Sequence, residues 1–533
     1  MGQEIVRQPR KTYTLKAEEI FYYLFFAILL FAKGIGLYDG MKAFTVCLLA
    51  AFLCFGVKIC LTEHTVGELI KIALLMILGL VVYRSSGDKT AFIYILVIVG
   101  MKCVPVRRVF KVGAVVWSFA FVMTTVLALL KQIPDLALVH SKLGLGHIIR
   151  WSLGYTHPNV LHISYVILLA FIFYLARWEK KQLLWATVIA YLFNFYIFLY
   201  SVSYTGLILT TVYLALNLYF NLRKRLSKAE KWLIQCVFPA CTILSVLGPV
   251  VVKGRLFDIL NKLMNTRWNL SRYFLTEQKI SLFGTRITDL PEGGYNIDCS
   301  YVYVLMYFGI IVFILTVAAY FLTIRYEVKT DKRKELAIML AFLFAGMSEP
   351  FMANLSFKNL TLLFVGEYFY RSDRMPYKGV WQNLFYKRIR LTPWTEKELT
   401  FELPRESGRW TEVKAIFVRK KVSIFLTGFF VFVLAGSCYY YMTEPVQIAY
   451  VEVGLSDYWP GETVKPDRSQ LPEDFNGLII GNADGKTEMY ALTGNILVLE
   501  HFREAVSLGL ACGLAAGALY GMGSCIVQKK KNG

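Results

Sequence analysis

The stretch FYYLFFAILLFAKGIG, residues 21–36, decides the fold class. It carries one charge, Lys33, and lacks the polar/apolar alternation of a half-buried strand. Extended to residues 18–38, it approaches the roughly 20 residues that a helix needs to cross a ~30 Å hydrocarbon layer. Similar runs recur along nearly the whole chain of 533 residues, of which 56% are hydrophobic and 18% charged, with a mean hydropathy of +0.50. That balance excludes a water-soluble core. Lipid offers the backbone no hydrogen-bond partner, so spans must be helices or a closed barrel, and runs without alternation are helices. The expected fold is an all-α polytopic membrane protein.

Helices are expected at 18–38, 42–61, 67–84, 89–106, 109–130, 158–176, 182–200, 205–222, 232–252, 299–323, 335–350, 357–370, 422–442 and 504–526, the eleventh and twelfth being short enough to be re-entrant or tilted. Cytoplasmic loops carry the excess of Lys and Arg. With the chain starting inside, the inner segments hold Arg107, Arg108 and Lys111, then Arg177, Lys180 and Lys181, then Arg223 to Lys231, then Arg325 to Lys334. Both termini are therefore expected in the cytoplasm of a bacterial cell membrane, and residues 1–16 read as a retained signal anchor. Residues 1–370 form a twelve-helix core with long outer loops at 131–157 and 253–298, each expected to fold as a lid or interfacial helix. Residues 371–421, with thirteen basic side chains, read as a solvated cytoplasmic linker. Residues 422–533 form a two-helix hairpin carrying an outer module, 443–503. Between Glu444 and Glu500 that module has ten acidic and three basic residues, with β-like runs VQIAYVEV, FNGLII and ALTGNILVLE.

The formal charge of +21 lies between spans rather than in a basic stripe with exposed aromatics, which argues against nucleic acid as a partner. The ten cysteines lack metal-ligand spacing and read as free thiols. Four of the six histidines, His140, His147, His157 and His162, cluster at the first outer loop; their spacings of 7, 10 and 5 match no zinc pattern, and no metal or other cofactor is expected. His157 in GYTHPN is either a base or hydrogen-bond donor, or an exposed neighbour of a capping turn at Thr156/Asn159. Arg150 in the first loop and Arg255, Arg267, Arg272 and Arg286 in the second either meet lipid headgroups or bind phosphate oxygens bidentately. Arg150, Arg267 and Arg272 rank highest because Trp151, Trp268, Tyr273 and Phe274 adjoin them. Asp298 either caps the helix that follows it or accepts a proton. The turn YSVSYTG offers Ser201, Ser203 and Thr205 as hydrogen-bond partners or as simple turn formers.

These residues resemble a known family. Arg150-Trp-Ser-Leu-Gly-Tyr-Thr-His157-Pro-Asn159, the Ser-x-Ser-x-Thr-Gly turn at 201–206, Arg267 with LFG at 282–284, and Asp298-Cys-Ser-Tyr301 followed by LMYFGII are similar to the O-antigen polymerase and ligase (Wzy-like) superfamily. The resemblance spans about residues 18–370. It implies a GT-C-type glycosyltransferase that uses a polyprenyl-pyrophosphate-linked oligosaccharide on the outer face, without metal or nucleotide sugar. Family members often carry an arginine where this chain has Tyr204. The hairpin at 422–533 lies outside the family pattern and resembles chain-length regulators.

The resulting expectation is a polymerase of a capsular or surface polysaccharide. Arg150, Arg267 and Arg272 would hold the pyrophosphate, His157 or Asp298 would take the acceptor proton, and Asn159, Ser203 and Tyr301 would contact substrate. A flippase and a chain-length regulator are the expected protein partners. The alternatives are a ligase passing glycan to another acceptor, a transporter, for which more ionisable residues should lie deep in the helices, and a non-catalytic scaffold. Tags placed in 131–157 and 253–298 are expected to react with impermeant reagents added outside intact cells; labelling only after lysis contradicts this topology.

Overall fold

The computed structural model describes residues 12–142, 146–291, 296–372, 382–395, 397–402, 408–446, 449–454, 462–464, 478–480, 487–492 and 495–532. Arg7, Arg10 and Lys11 of the expected anchor, and residues 292–295 of the glycine-rich loop before Asp298, lie outside the described residues. The helices are α1 (Ala17–Gly34), α2 (Lys42–Leu61), α3 (Val66–Ser86), α4 (Thr90–Gly100), α5 (Val106–Leu129), α6 (Pro158–Leu175), α7 (Lys180–Ser201), α8 (Tyr204–Leu222), α9 (Lys228–Val246), α10 (Gly248–Val251), α11 (Gly254–Leu263), α12 (Arg267–Glu277), α13 (Ser300–Tyr303), α14 (Gly309–Lys329), α15 (Arg333–Ala345), α16 (Thr361–Ser372), α17 (Gln382–Phe385), α18 (Gly408–Met442) and α19 (Asn495–Asn532). The strands are short: β1 (Thr12–Lys16), β2 (His64–Thr65), β3 (Ala137–Lys142), β4 (Gly146–Trp151), β5 (Arg388–Ile389), β6 (Glu398–Glu402), β7 (Ala449–Gly454), β8 (Glu462–Val464), β9 (Leu478–Ile480) and β10 (Thr487–Leu492).

Among the described residues nine helices are long and apolar enough to cross a membrane: α2, α3, α5, α6, α7, α8, the run Ser300–Lys329, Ala415–Met442 and Leu497–Val527. The protein is thus mostly helical and polytopic in character. The other segments expected from the sequence form helices that fall short of that test. Helix α1 bears Glu18, Glu19 and Lys33, and α9 contains Pro239 and a charged first turn. Helices α4, α15 and α16 have 11, 13 and 12 residues.

The chain divides into two compact units. Unit 1 comprises residues 1–13, 135–152 and 401–533, and unit 2 comprises 14–134 and 153–400. In unit 1, β7–β10 form a sheet in the order β8-β10-β7-β9, antiparallel except for the β7/β9 pair. The run ALTGNILVLE, expected as strand, turns into α19 at Asn495. In the first long loop, expected as a lid or interfacial helix, β3 and β4 pair antiparallel with Leu138 opposite Arg150. Helices α18 and α19 meet backbone to backbone. A Cβ on Gly428 would lie 2.9 Å from the Gly513 carbonyl oxygen, and one on Gly509 would lie 2.6 Å from that of Phe432.

In unit 2, α6 and α15 sit at the centre. Leu336 to Leu343 are all buried, which is why a 13-residue helix holds its place although its hydropathy is modest. Trp117 of α5 donates its indole N–H to the Ser164 carbonyl of α6 (2.9 Å), and Tyr165 of α6 donates to the Ala190 carbonyl of α7 (2.7 Å). Residues 382–395, expected as solvated linker, dock on the α2–α3 turn instead. There β5 pairs with β2, Phe385 packs on Gly67, and Arg388 and Arg390 reach Glu63 at 3.4 and 3.2 Å.

Two glycine motifs form a joint. A π-helical turn at Val304–Phe308 ends at Gly309, and the segment 281–285 lies against it. Thr285 N–H donates to Met306 O, Ile310 N–H to Ser281 O and Ile311 N–H to Leu282 O, at 2.9, 3.0 and 3.2 Å. Gly284 and Gly309 both have left-handed φ, +86° and +83°, and a Cβ on Gly284 would stand 2.0 Å from the Tyr307 oxygen. Gly284→Ala is therefore expected to cost on the order of 3 kcal/mol through strain and backbone displacement. Thermal unfolding in detergent should show it as a lowered midpoint, while Gly56→Ala, whose Cβ meets nothing within 4 Å, serves as the neutral control.

Candidate functional site

In the second long loop, expected as a lid or interfacial helix, residues 254–263 and 267–277 are helical and 278–291 are not. Helix α11 is amphipathic, with Phe257 buried and Leu256, Ile259 and Leu263 exposed on one face. The turn that follows places Asn265 and Thr266 at φ +52° and +65°, a conformation costly for residues with a side chain, and so brings Arg267 to the start of α12. Asn261 of α11 accepts the Asn269 N–H at 2.8 Å and so supports the first turn of α12. Arg272, one turn further on, donates to the carbonyls of Pro249 and Val252, both at 2.6 Å, and its guanidinium lies 3.6 Å from the centre of the Phe257 ring. It clamps α10, α11 and α12 together.

Arg267 is buried, with about a tenth of its side chain exposed. Its Nη2 is 3.3 Å from Glu349 Oε1 and its Nε 3.5 Å from Asp298 Oδ2; the latter is an ion pair without a hydrogen bond, and among the described residues no acceptor bonds this buried Nε. Glu349 Oε1 also faces Asn159 Nδ2 at 3.4 Å. Ser300 ties the same corner together by donating its hydroxyl to the Glu349 carbonyl (2.6 Å) and its N–H to the Gly346 carbonyl (2.8 Å). Arg267 and Asn159, far apart in sequence, thus meet at Glu349, and Asp298 joins them through Arg267.

His157 is itself the N-cap of α6, not a bystander to a Thr156/Asn159 cap: its Nδ1 accepts the Asn159 N–H at 3.0 Å, ahead of Pro158 at the first helical position. With Nδ1 engaged as an acceptor, the neutral ring carries its proton on Nε2 and is a donor there. Asp298 does not cap the following helix. Cys299 holds that position without a side-chain bond, and Asp298 turns to Arg267. Burial raises the Asp298 carboxyl above the usual carboxylate range, and the Arg267 charge opposes the rise.

The remaining expected site residues are engaged structurally. Ser203 caps α8 by accepting the Gly206 N–H at 3.2 Å, and Tyr301 donates its hydroxyl to Leu343 O at 2.8 Å. His162 is fully buried, with Nδ1 2.9 Å from Ser201 Oγ and Nε2 2.7 Å from Asn194 Oδ1. A Cβ on Gly206 would sit 2.3 Å from the His162 ring, so the last residue of the Ser-x-Ser-x-Thr-Gly turn leaves room for the imidazole. Arg150 is buried in β4 and belongs to unit 1, where the neighbouring Trp151 indole donates to Glu500 at 3.0 Å. The side chains of His140 and His147 lie outside the described residues. Among the described residues no group of three or more His, Cys, Asp or Glu side chains is placed to hold a metal ion.

Sequence reasoning missed Glu349 and Lys358. Glu349 falls at the end of a weak span in MSEPFMAN, and Lys358 was counted inside another, although α16 begins only at Thr361. The signal was present: an acidic residue before Pro350 and a lysine in an otherwise apolar stretch. No family model matches the chain, and neither the curated proteins nor the solved structures contain a match.

Arg267→Ala removes the cation beside Glu349 and is expected to destabilise the protein by about 3 kcal/mol, the usual order for breaking a buried pair. Arg267→Met with Glu349→Gln should restore much of the loss. Unfolding midpoints of the purified variants check this, and equal midpoints for wild type and Arg267→Ala would remove the pair from any structural role.

Proposed function

We propose that the protein is a membrane glycosyltransferase that polymerises polyprenyl-pyrophosphate-linked oligosaccharide repeats into a capsular or surface polysaccharide on the outer face of a bacterial cell membrane. The observation that carries the reading is Arg267, a buried guanidinium whose Nε no acceptor bonds among the described residues, beside two carboxylates in a long connection between apolar helices. The motif resemblance to the Wzy-like superfamily adds to it, as does the joint between the LFG and YFG motifs, since it fixes the backbone that leads from Asp298 into α14.

In this reading the arrangement is a twelve-helix GT-C-like core followed by a hairpin of α18 and α19, with both termini in the cytoplasm and the β-module outside. As the anomeric bond breaks, negative charge gathers on the departing pyrophosphate, and Arg267 stabilises it in a water-poor site. Arg272 acts by holding α12 in place, because its nitrogens already serve two carbonyls. Asp298 takes the proton from the acceptor hydroxyl, the upward shift of its pKa making it a stronger base than an ordinary aspartate. His157, with Nε2 protonated, donates a hydrogen bond, and Asn159 orients Glu349.

Chain growth on purified lipid-linked repeats tests the proposal. Arg267→Gln, assayed at equal amounts of folded protein, is expected to slow it about 100-fold or more, and Arg272→Ala to reduce it through the displaced loop. Near-normal growth in both sinks the reading. Because Asp298 must be ionised to act as a base, growth should fall as pH is lowered through its raised pKa, above the ordinary aspartate value of 3.8. Asp298→Asn should abolish that acidic limb along with most of the rate.

A further inference from the structure

Lys358 lies in the loop between α15 and α16, 4% exposed, with its ammonium 6.0 Å from the centre of the Trp117 ring. Its carbonyl accepts the Leu360 N–H at 3.0 Å, but among the described residues its ammonium makes no hydrogen bond and no ion pair. A lysine that the fold merely tolerated would run its flexible stem out toward water. Here the backbone on both sides is fixed. Phe357 is held at φ +56°, with its ring packed on Phe26 and Phe25 at 5.5 and 6.4 Å. Asn359 donates to the Met352 carbonyl (2.7 Å) and to the Tyr320 hydroxyl (3.0 Å), and its own carbonyl accepts from Thr361. Strain at one neighbour and three hydrogen bonds at the other keep Lys358 inward.

Asn359, next to Lys358, bonds the Met352 carbonyl three residues on from Glu349, the carboxylate that Arg267 contacts at 3.3 Å, so the Lys358 loop is tied to the corner that Arg267 reaches. Glu349 and Lys33 of α1 are the charges that act on Lys358, and Lys33 is itself offset in part by Asp39. A buried ammonium without a partner is costly, whereas one that meets an incoming anion forms a charge-assisted bond of the strong kind. We propose that Lys358 and Arg267 together form a two-point site for a diphosphate, with Lys358 holding the phosphate group that Arg267 does not reach. The inference rests on the reading of Arg267 as a pyrophosphate ligand and adds to it a residue from a different segment of the chain.

The test is thermal unfolding of the full-length protein in nanodiscs, titrated with inorganic pyrophosphate and, in parallel, with farnesyl pyrophosphate, against sulfate at equal ionic strength. Either diphosphate should raise the wild-type midpoint more than sulfate does; a response to the farnesyl compound alone assigns the site to lipid-borne diphosphate. Lys358→Met, similar in length and uncharged, should keep or raise the ligand-free midpoint while needing at least tenfold more diphosphate for the same shift, and Lys358→Arg should retain part of the response. If the methionine variant does not fold, Lys358→Gln is read the same way. A shift lost in Arg267→Gln but intact in Lys358→Met overturns the inference and leaves the reading of Arg267 standing. No shift in wild type, or one equal to that from sulfate, overturns both.

Discussion

A peptide group that leaves a helix in an apolar surrounding has to find another partner, and that demand shapes unit 2. Its irregular segments do not hang free. Residues 281–285 are sewn to the π-helical turn, the 346–349 corner is bonded to Ser300, and the 352–361 loop is gathered around Asn359. Each of these ties sits next to a residue of the candidate site: Asp298 precedes Ser300, Glu349 lies in the bonded corner, and Lys358 adjoins Asn359. The connections that could have been loose lids are scaffolds with fixed geometry, and the charged groups inherit that rigidity.

The same medium sets the electrostatics. Arg267 is compensated by carboxylates from two different connections, at 3.3 and 3.5 Å, and neither contact is a short bidentate pair. Longer ion pairs bind less tightly, so an anion with better geometry competes more easily for the guanidinium. Arg272 is the contrast. Two carbonyls and an aromatic face engage it, which makes it a structural clamp although the sequence places it only five residues from Arg267.

Periodicity and hydropathy made the helices legible, because a span is written in about 20 consecutive residues and needs no long-range information. The β-hairpin at 137–151 was not legible: DLALVHSKLGLGHIIRW has neither strict alternation nor a tight-turn dipeptide, and the pairing of Leu138 with Arg150 appears only when the two halves are brought together. At the site, Arg267 and Asp298 stood out as charges in a long connection between apolar helices. Glu349 and Lys358 did not, since each lay at the edge of a hydrophobic run, where a charge reads as a boundary. The capping role of His157 was partly visible in His-Pro-Asn, but that the imidazole itself is the cap depends on a side-chain torsion that sequence does not encode.

Gly206 and His162 fit as tooth and socket, and this has an evolutionary consequence. Any larger residue at 206 collides with the ring, while a smaller residue at 162 leaves a void and takes one hydrogen-bond partner each from Asn194 Oδ1 and Ser201 Oγ. Neither position offers a passable first step on its own. Descendants of this chain would be expected to keep both or to exchange both together, so the pair can serve as an inherited mark of kinship when more divergent sequences are compared.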